Sequence, residues 1–191
     1  CEDGSYTPEV QVCINAAQEL ERAGVRAIAM CCGFFSLIQE VIAKSVSIPV
    51  MTSPLMMIPI IRQMLRPDQS IAVVTASAKL LSTEFFSAVN VDMSDRITLV
   101  GLDNSVAFNS ICMCATGTTL ETDELRDDIL NGISRARVQD LNIGAVLLEC
   151  TSFPPYAADV NKETGLPVFD FISCIEWMHR AVVPMQYNGY I

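Results

Sequence analysis

Two cysteines in this chain stand in matching surroundings. One lies in Ala27-Ile28-Ala29-Met30-Cys31-Cys32-Gly33-Phe34-Phe35, the other in Ala145-Val146-Leu147-Leu148-Glu149-Cys150-Thr151-Ser152-Phe153. In each, a short apolar run leads into cysteine, one or two small residues and phenylalanine. A run of this length between turn signals reads as a buried strand. Each cysteine therefore stands where a strand ends, and in open α/β sheets ligands bind outside the carboxyl ends of the strands. Two such cysteines, one in each half, suggest a site with a thiol on either side of the substrate. A free thiol titrates near ~8.5, and a helix N-terminus lowers it. Cys32 precedes a helix expected from Phe35, and Cys150 precedes a short one. Backbone N–H groups at these helix starts are suited to bind an anionic group, with Gly33 letting the backbone come close. Thr52, Ser53, Thr75, Ser77 and Thr151 fall at strand ends and are candidate donors to carboxylate oxygens.

The elements that must position these residues follow an alternating pattern. Thr7-Pro8-Glu9 combines a capping hydroxyl, proline at the first helical position and an acid in the first turn. Val10, Cys13, Ile14, Ala17 and Leu20 continue at helical spacing up to Gly24. Strands are expected over Val25 to Met30 and Ile48 to Thr52, and helices over Phe35 to Ser45 and Leu55 to Leu65. The Arg66-Pro67-Asp68 turn marks a boundary. Beyond it the pattern restarts: strand Ile71 to Thr75, helix Ala78 to Val89, strand Ile97 to Leu102. Asn104 to Leu120 reads mostly as loop with one short helix. A long helix runs from Thr122 to about Asp140, then strand Ala145 to Leu148, helix Pro155 to Glu163, strand Leu166 to Phe169 and helix Ile172 to Val182. Alternation of this kind means parallel sheets covered by helices. No strand precedes Thr7, so the first sheet is expected to lack its opening strand or to receive it from elsewhere. An exposed edge of that kind favours pairing into a homodimer.

Composition narrows the function classes. The 191 residues are 51% hydrophobic and 18% charged, with a formal net charge of -10. That suits a sizeable core and excludes a disordered chain. No basic run is present, so nucleic acid is not an expected partner. No stretch of 18 apolar residues is free of charge or proline, so no membrane span is expected. Eight cysteines without zinc-finger spacing and a single histidine, His179, give little basis for a metal site. Periodic apolar placement of the cysteines fits a reducing, cytoplasmic setting better than a disulfide framework. Cys13 reads as core, Cys31 as packed on the opposite face of its strand from Cys32, and Cys112, Cys114 and Cys174 as core or loop thiols. His179 reads as an ordinary residue near a helix C-terminus.

The chain resembles the aspartate/glutamate racemase superfamily. The resemblance is carried by Ala27 to Phe34, Ile48-Pro49-Val50-Met51-Thr52-Ser53, Val73-Val74-Thr75-Ala76-Ser77, Leu148 to Ala157 and Leu166-Pro167-Val168-Phe169-Asp170. The Leu-Glu-Cys-Thr block is its most specific part. It implies two similar parallel-sheet α/β domains facing each other across a cleft: 1–67 plus 171–191, and 68–170. It also implies cofactor-independent racemisation of an amino acid, with Cys32 and Cys150 as the catalytic pair. One thiolate would remove the Cα proton and the opposite thiol would return one. The implied partner is a small carboxylic-acid or amino-acid substrate, bound through Gly33, Thr52, Ser53, Thr75, Ser77 and Thr151. Relatives on this fold serve maleate cis–trans isomerisation, hydantoin racemisation and decarboxylation, and a non-catalytic small-acid binding protein is a further alternative. A thiol-redox protein has little support, since no Cys-x-x-Cys motif is present.

Overall fold

The chain is described by a computed structural model covering residues 6–92, 96–110 and 122–189. Cys1, Cys112 and Cys114 lie outside these residues. The elements run α1 (Pro8–Arg22), β1 (Ile28–Ala29), α2 (Gln39–Ser45), β2 (Val50–Met51), α3 (Ile58–Met64), β3 (Ser70–Thr75) and α4 (Thr83–Ser87). They continue with β4 (Ile97–Gly101), α5 (Val106–Phe108), α6 (Thr122–Gln139), β5 (Ile143–Leu148), α7 (Ala157–Thr164), β6 (Val168–Phe169) and α8 (Phe171–Val182). The strands form two parallel sheets, β1-β2 and β4-β3-β5-β6. The expected fold class, α/β with parallel sheets, is the one observed.

Local chemistry accounts for the element ends. The Thr7 side chain accepts from the Val10 N–H, and Pro8 occupies the first position of α1. Gly24 follows that helix with φ +89°, a conformation glycine takes freely. Asp170 and Ser173 close a reciprocal capping box on α8. Gly165, at φ +70°, ends α7.

Several expected elements come out shorter. The apolar runs at Val25 to Met30 and Ile48 to Thr52 yield only two paired residues each, because β1 and β2 ladder only with one another. The helices expected from Phe35, Leu55 and Pro155 begin as 3₁₀ turns at Gly33–Ile38, Pro54–Met57 and Pro154–Tyr156. Each leaves a strand end abruptly, and tight 3₁₀ turns commonly start helices. The helix expected over Ala78 to Val89 contracts to α4. Asp103 accepts from the Ser77 hydroxyl and the Ala78 and Lys79 N–H groups, which holds that segment in a turn instead. The part of the expected Asn104 to Leu120 loop beyond residue 110 lies outside the described residues.

The larger sheet carries the core on both faces. Strands β3 and β5 are buried along their whole length, as central parallel strands are. On one face Ala72, Val74, Val146 and Leu148 pack with Leu125, Ile129 and Ile133 of α6. On the other Ile71, Val73, Ala145 and Leu147 pack with Leu55, Ile58, Ile61, Phe86 and Cys174. Thus the segment from Pro54 to Met64, although it precedes the Pro67 turn, packs on the second sheet. The first sheet has its own small cluster of Ile14, Ala17, Ile28 and Ile42, with Cys13 against it.

Leu147 is fully buried on the central strand. Leu147→Ala should lower stability by about 2–5 kcal/mol, read as the urea midpoint multiplied by an unchanged m-value. A loss below about 1 kcal/mol would mean that β5 is not at the centre of the core.

Candidate active site

Strands β3 and β5 run side by side, with Val74 opposite Leu148 and the Glu149 N–H donating to the Val74 carbonyl at 3.1 Å. Their carboxyl ends therefore present Thr75 and Glu149 next to each other. The first sheet delivers Cys32 beyond the end of β1 and Thr52-Ser53 directly after β2. Cys32 and Cys150 then pair as an isolated antiparallel bridge. The two thiol-bearing strand ends thus meet head-on from opposite sheets. Residues paired this way have Cα atoms about 4.5–5.5 Å apart.

The internal likeness of the two segments is also structural. The Phe35 N–H donates to the Cys32 carbonyl and the Phe153 N–H to the Cys150 carbonyl, both at 3.0 Å. Each cysteine opens a tight turn, and each turn is backed by an aromatic contact. Phe34 meets Phe85 edge-on with ring centroids 5.0 Å apart, and Phe153 meets Phe108 at 5.6 Å.

Between the two turns lies a residue to which the sequence reading assigned no role. Glu149 is completely buried. Its carboxylate accepts from the Gly33 N–H at 2.7 Å and from the Thr75 hydroxyl at 2.6 Å. The Ala76 N–H donates to it as well. All three partners are donors, the pattern that suits an acceptor-only carboxylate. Burial nonetheless pushes the Glu149 carboxyl above its ordinary range, against the pull of these hydrogen bonds. Glycine at position 33 is required, since a Cβ there would lie 2.2 Å from a Glu149 oxygen. The close approach at Gly33 is made by a carboxylate of the protein itself.

Cys32 caps the 3₁₀ turn at Gly33–Ile38, but its thiol is not lowered. It is pushed up to about 12, first by burial and next by the Glu149 charge, with smaller contributions from Cys150 and Cys31. The Phe34 N–H opposes this and does not offset it. The expectation of a helix-lowered thiol fails for this reason at Cys32. Cys31 is half-buried.

The hydroxyl candidates are largely committed within the protein. Thr52 is fully buried and donates to Gln39 Oε1 at 2.9 Å, an oxygen that also accepts the Thr52 N–H. Gln39 Nε2 donates to the Val50 carbonyl. Gln39 thereby holds the end of β2, a second role that the sequence left unmarked. Ser53 Oγ accepts from the Leu55 N–H. Ser77 donates to Asp103, whose carboxyl is opposed by burial yet held below its ordinary range by four hydrogen bonds. Thr151 is exposed at the turn after β5. The structure thus brings Cys32, Gly33, Thr75 and Cys150 together around Glu149, while Ser77 is tied into the loop held by Asp103. His179 is exposed near the end of α8.

No group of His, Cys, Asp and Glu able to hold a metal ion occurs among the described residues. No helix among them is long and apolar enough to cross a membrane.

Residues 2–178 match the family model described as Asp/Glu/Hydantoin racemase. The chain belongs to this family. Among solved structures, a glutamate racemase isoform from Bacillus anthracis aligns with a TM-score of 0.61 at 14% identity, covering 98% of this chain and 72% of that one. Unliganded arylmalonate decarboxylase aligns with a TM-score of 0.56 at 12% identity, covering 94% of this chain and 78% of that one. These likenesses concern the fold. Among curated proteins, a dimethylsulfoniopropionate lyase from Durusdinium sp. clade D is 29% identical over 96% of this chain and 62% of its own length. Dimethylsulfoniopropionate lyase 6 from Emiliania huxleyi is 30% identical over 96% of this chain and 49% of its own length. The chain thus spans about half to three-fifths of these relatives.

The family is an enzyme family, and the expectation of an amino-acid racemase within it is corrected. The curated relatives are lyases, not isomerases. The motif identifies the superfamily and leaves the reaction open.

Gly33→Ala should force Glu149 out of its place, lowering stability by about 1–3 kcal/mol through lost buried hydrogen bonds. It should also abolish a cross-link that the parent forms. Facing Cα atoms at ladder spacing fall inside the disulfide range of about 4.4–6.8 Å. Mild oxidation of the parent should therefore join Cys32 to Cys150, read by non-reducing peptide mapping. Exclusive joining of other cysteines would contradict the pairing.

Proposed function

We propose that this chain carries the catalytic thiols of an enzyme that eliminates dimethyl sulfide from dimethylsulfoniopropionate, or from a closely similar β-sulfonio carboxylate. The observation that carries the reading is the set of curated relatives, 27–30% identical over 87–96% of the chain and each a dimethylsulfoniopropionate lyase.

The chemistry suits the site. A base removes a proton from the carbon next to the carboxylate. The C–H electron pair becomes the new C=C bond, and the C–S bond breaks toward sulfur. Acrylate, neutral dimethyl sulfide and a proton result. The leaving group departs as a neutral sulfide and needs no acid. Elimination therefore requires a base on one face of the carbon, where inversion requires proton transfer on both.

Cys32 is held as the neutral thiol by burial and by Glu149. In this reading Cys150 is the base, and the Cys32 S–H faces the charge that develops on the substrate. Donors aimed at developing charge in a dry site contribute about 2.7–4 kcal/mol each. The turn N–H groups after Cys150, together with Thr151, are candidate carboxylate contacts.

Headspace detection of dimethyl sulfide tests this. The parent should release it, and Cys32→Ser and Cys150→Ser should each lower kcat/KM by about 100-fold or more. Release of sulfide by the double variant at the parental rate would refute thiol catalysis. The pH profile has a defined sign. Cys32 stays protonated to about 12, so kcat/KM should rise as the base ionises and show no fall up to pH ~10 from loss of the Cys32 proton. A fall centred near ~8.5, the ordinary thiol value, would show Cys32 ionising normally.

A further inference from the structure

A fully buried carboxylate without a cationic partner is an expensive feature for a fold to keep. Transfer of an unpaired charge into an apolar interior costs far more than a hydrogen-bonded neutral group. Among the described residues no Lys or Arg pairs with Glu149. The residues around it that build the fold are apolar: Leu148 and Phe153 are fully buried, as are Val73 and Val74 of the neighbouring strand. A leucine or glutamine at position 149 would serve packing. The carboxylate has to answer another need.

Its contacts show what it joins. Gly33 is 116 residues away in sequence and Thr75 is 74. The first belongs to the Cys32 turn of the small sheet, the second to the end of β3 in the large one. Glu149 itself sits between Leu148 of β5 and Cys150. One side chain therefore contacts the residue after one candidate thiol while being the residue before the other. Nothing larger than glycine fits at position 33 while this contact exists.

We propose that Glu149 is a positioning residue: its carboxylate clamps the Cys32–Gly33 turn to the ends of β3 and β5 and keeps the Cys32 thiol in register with Cys150. Its negative charge is part of the device. The titratable groups that act on Cys32 are Glu149, Cys150 and Cys31, with Glu149 the largest of the three. A charged clamp favours the uncharged thiol at Cys32. The inference rests on the elimination reading only where turnover is measured.

The test uses the full chain and two readouts. Glu149→Gln keeps the shape: its amide oxygen accepts from the Gly33 N–H, and its NH₂ donates to the Thr75 hydroxyl. The variant should alkylate at Cys32 with iodoacetamide at least threefold faster than the parent at pH 8. Its alkylation midpoint, read by peptide mass spectrometry across pH, should move to lower pH. kcat for dimethylsulfoniopropionate should fall at least tenfold with KM within threefold. An unchanged midpoint, or a rate gain equal at every pH, would overturn the proposal, since loosening alone produces the latter. If Glu149→Gln fails to fold, Thr75→Val decides, because it removes one donor to the carboxylate and keeps the packing volume. Thr75→Val should lower kcat at least fivefold and Thr75→Ser should restore it to within twofold of the parent. Parental kcat in Thr75→Val would overturn the clamp. A parent that releases no dimethyl sulfide overturns the elimination reading alone. The alkylation midpoints then decide for Glu149, with Thr75→Val and Thr75→Ser read by the same midpoint should Glu149→Gln not fold.

Discussion

The arrangement of this protein depends on one buried carboxylate. Glu149 accepts hydrogen bonds from Gly33, Thr75 and Ala76, and through them joins the ends of β1, β3 and β5. The small sheet contributes only two paired residues per strand and a cluster of modest size. Its Cys32 turn is held against the large sheet by this contact and by the Cys32–Cys150 bridge. Removing a partner from such a network leaves donors unsatisfied in a dry place, which costs more than the same bonds contribute in water. Position 33 must then be glycine, and the large sheet must be rigid enough to present Thr75 and Glu149 side by side.

The large sheet supplies that rigidity. β3 and β5 are buried on both faces and, after a register shift between Ser70 and Ile71, pair residue by residue from Ile71 and Ala145 up to Val74 and Leu148. Segment Pro54 to Met64 packs on the same sheet, so the chain that follows β2 is anchored to the second half before the second half begins. The two halves share a core face as well as a site. The chemistry inherits this geometry. Facing strand ends bring Cys32 and Cys150 opposite one another, and burial with the Glu149 charge favours the neutral thiol at Cys32. A neutral thiol there suits the elimination proposed above, which needs one base.

Much of the fold was legible in the sequence. The Thr7-Pro8 start of α1, the buried run of β5, the long α6 and the alternation that demands parallel sheets all rest on local chemistry. So does the turn after each cysteine, where the repeated Cys-x-x-Phe pattern became the same backbone hydrogen bond twice. What was not legible depended on partners distant in the chain. The reach of β1 and β2 was set by how few neighbours they have, and the Ala78 segment by Asp103. Most of all, Glu149 stood in plain view between an apolar run and a cysteine. A charged residue completing a fully buried strand was the available signal, yet its partners Gly33 and Thr75 could be found only in three dimensions. The reaction type was beyond the motif altogether, because a fold does not choose among racemisation, decarboxylation and elimination.

The central claim is that a C–H bond next to the carboxylate breaks and a carbon–sulfur bond breaks with it. The direct measurement is turnover of dimethylsulfoniopropionate carrying deuterium at the carbon next to the carboxylate, with both products quantified. The account predicts acrylate and dimethyl sulfide in equal amounts and a lower kcat/KM for the deuterated substrate. Deuterium washed out of recovered substrate with no sulfide released, or sulfide released without acrylate, would contradict it.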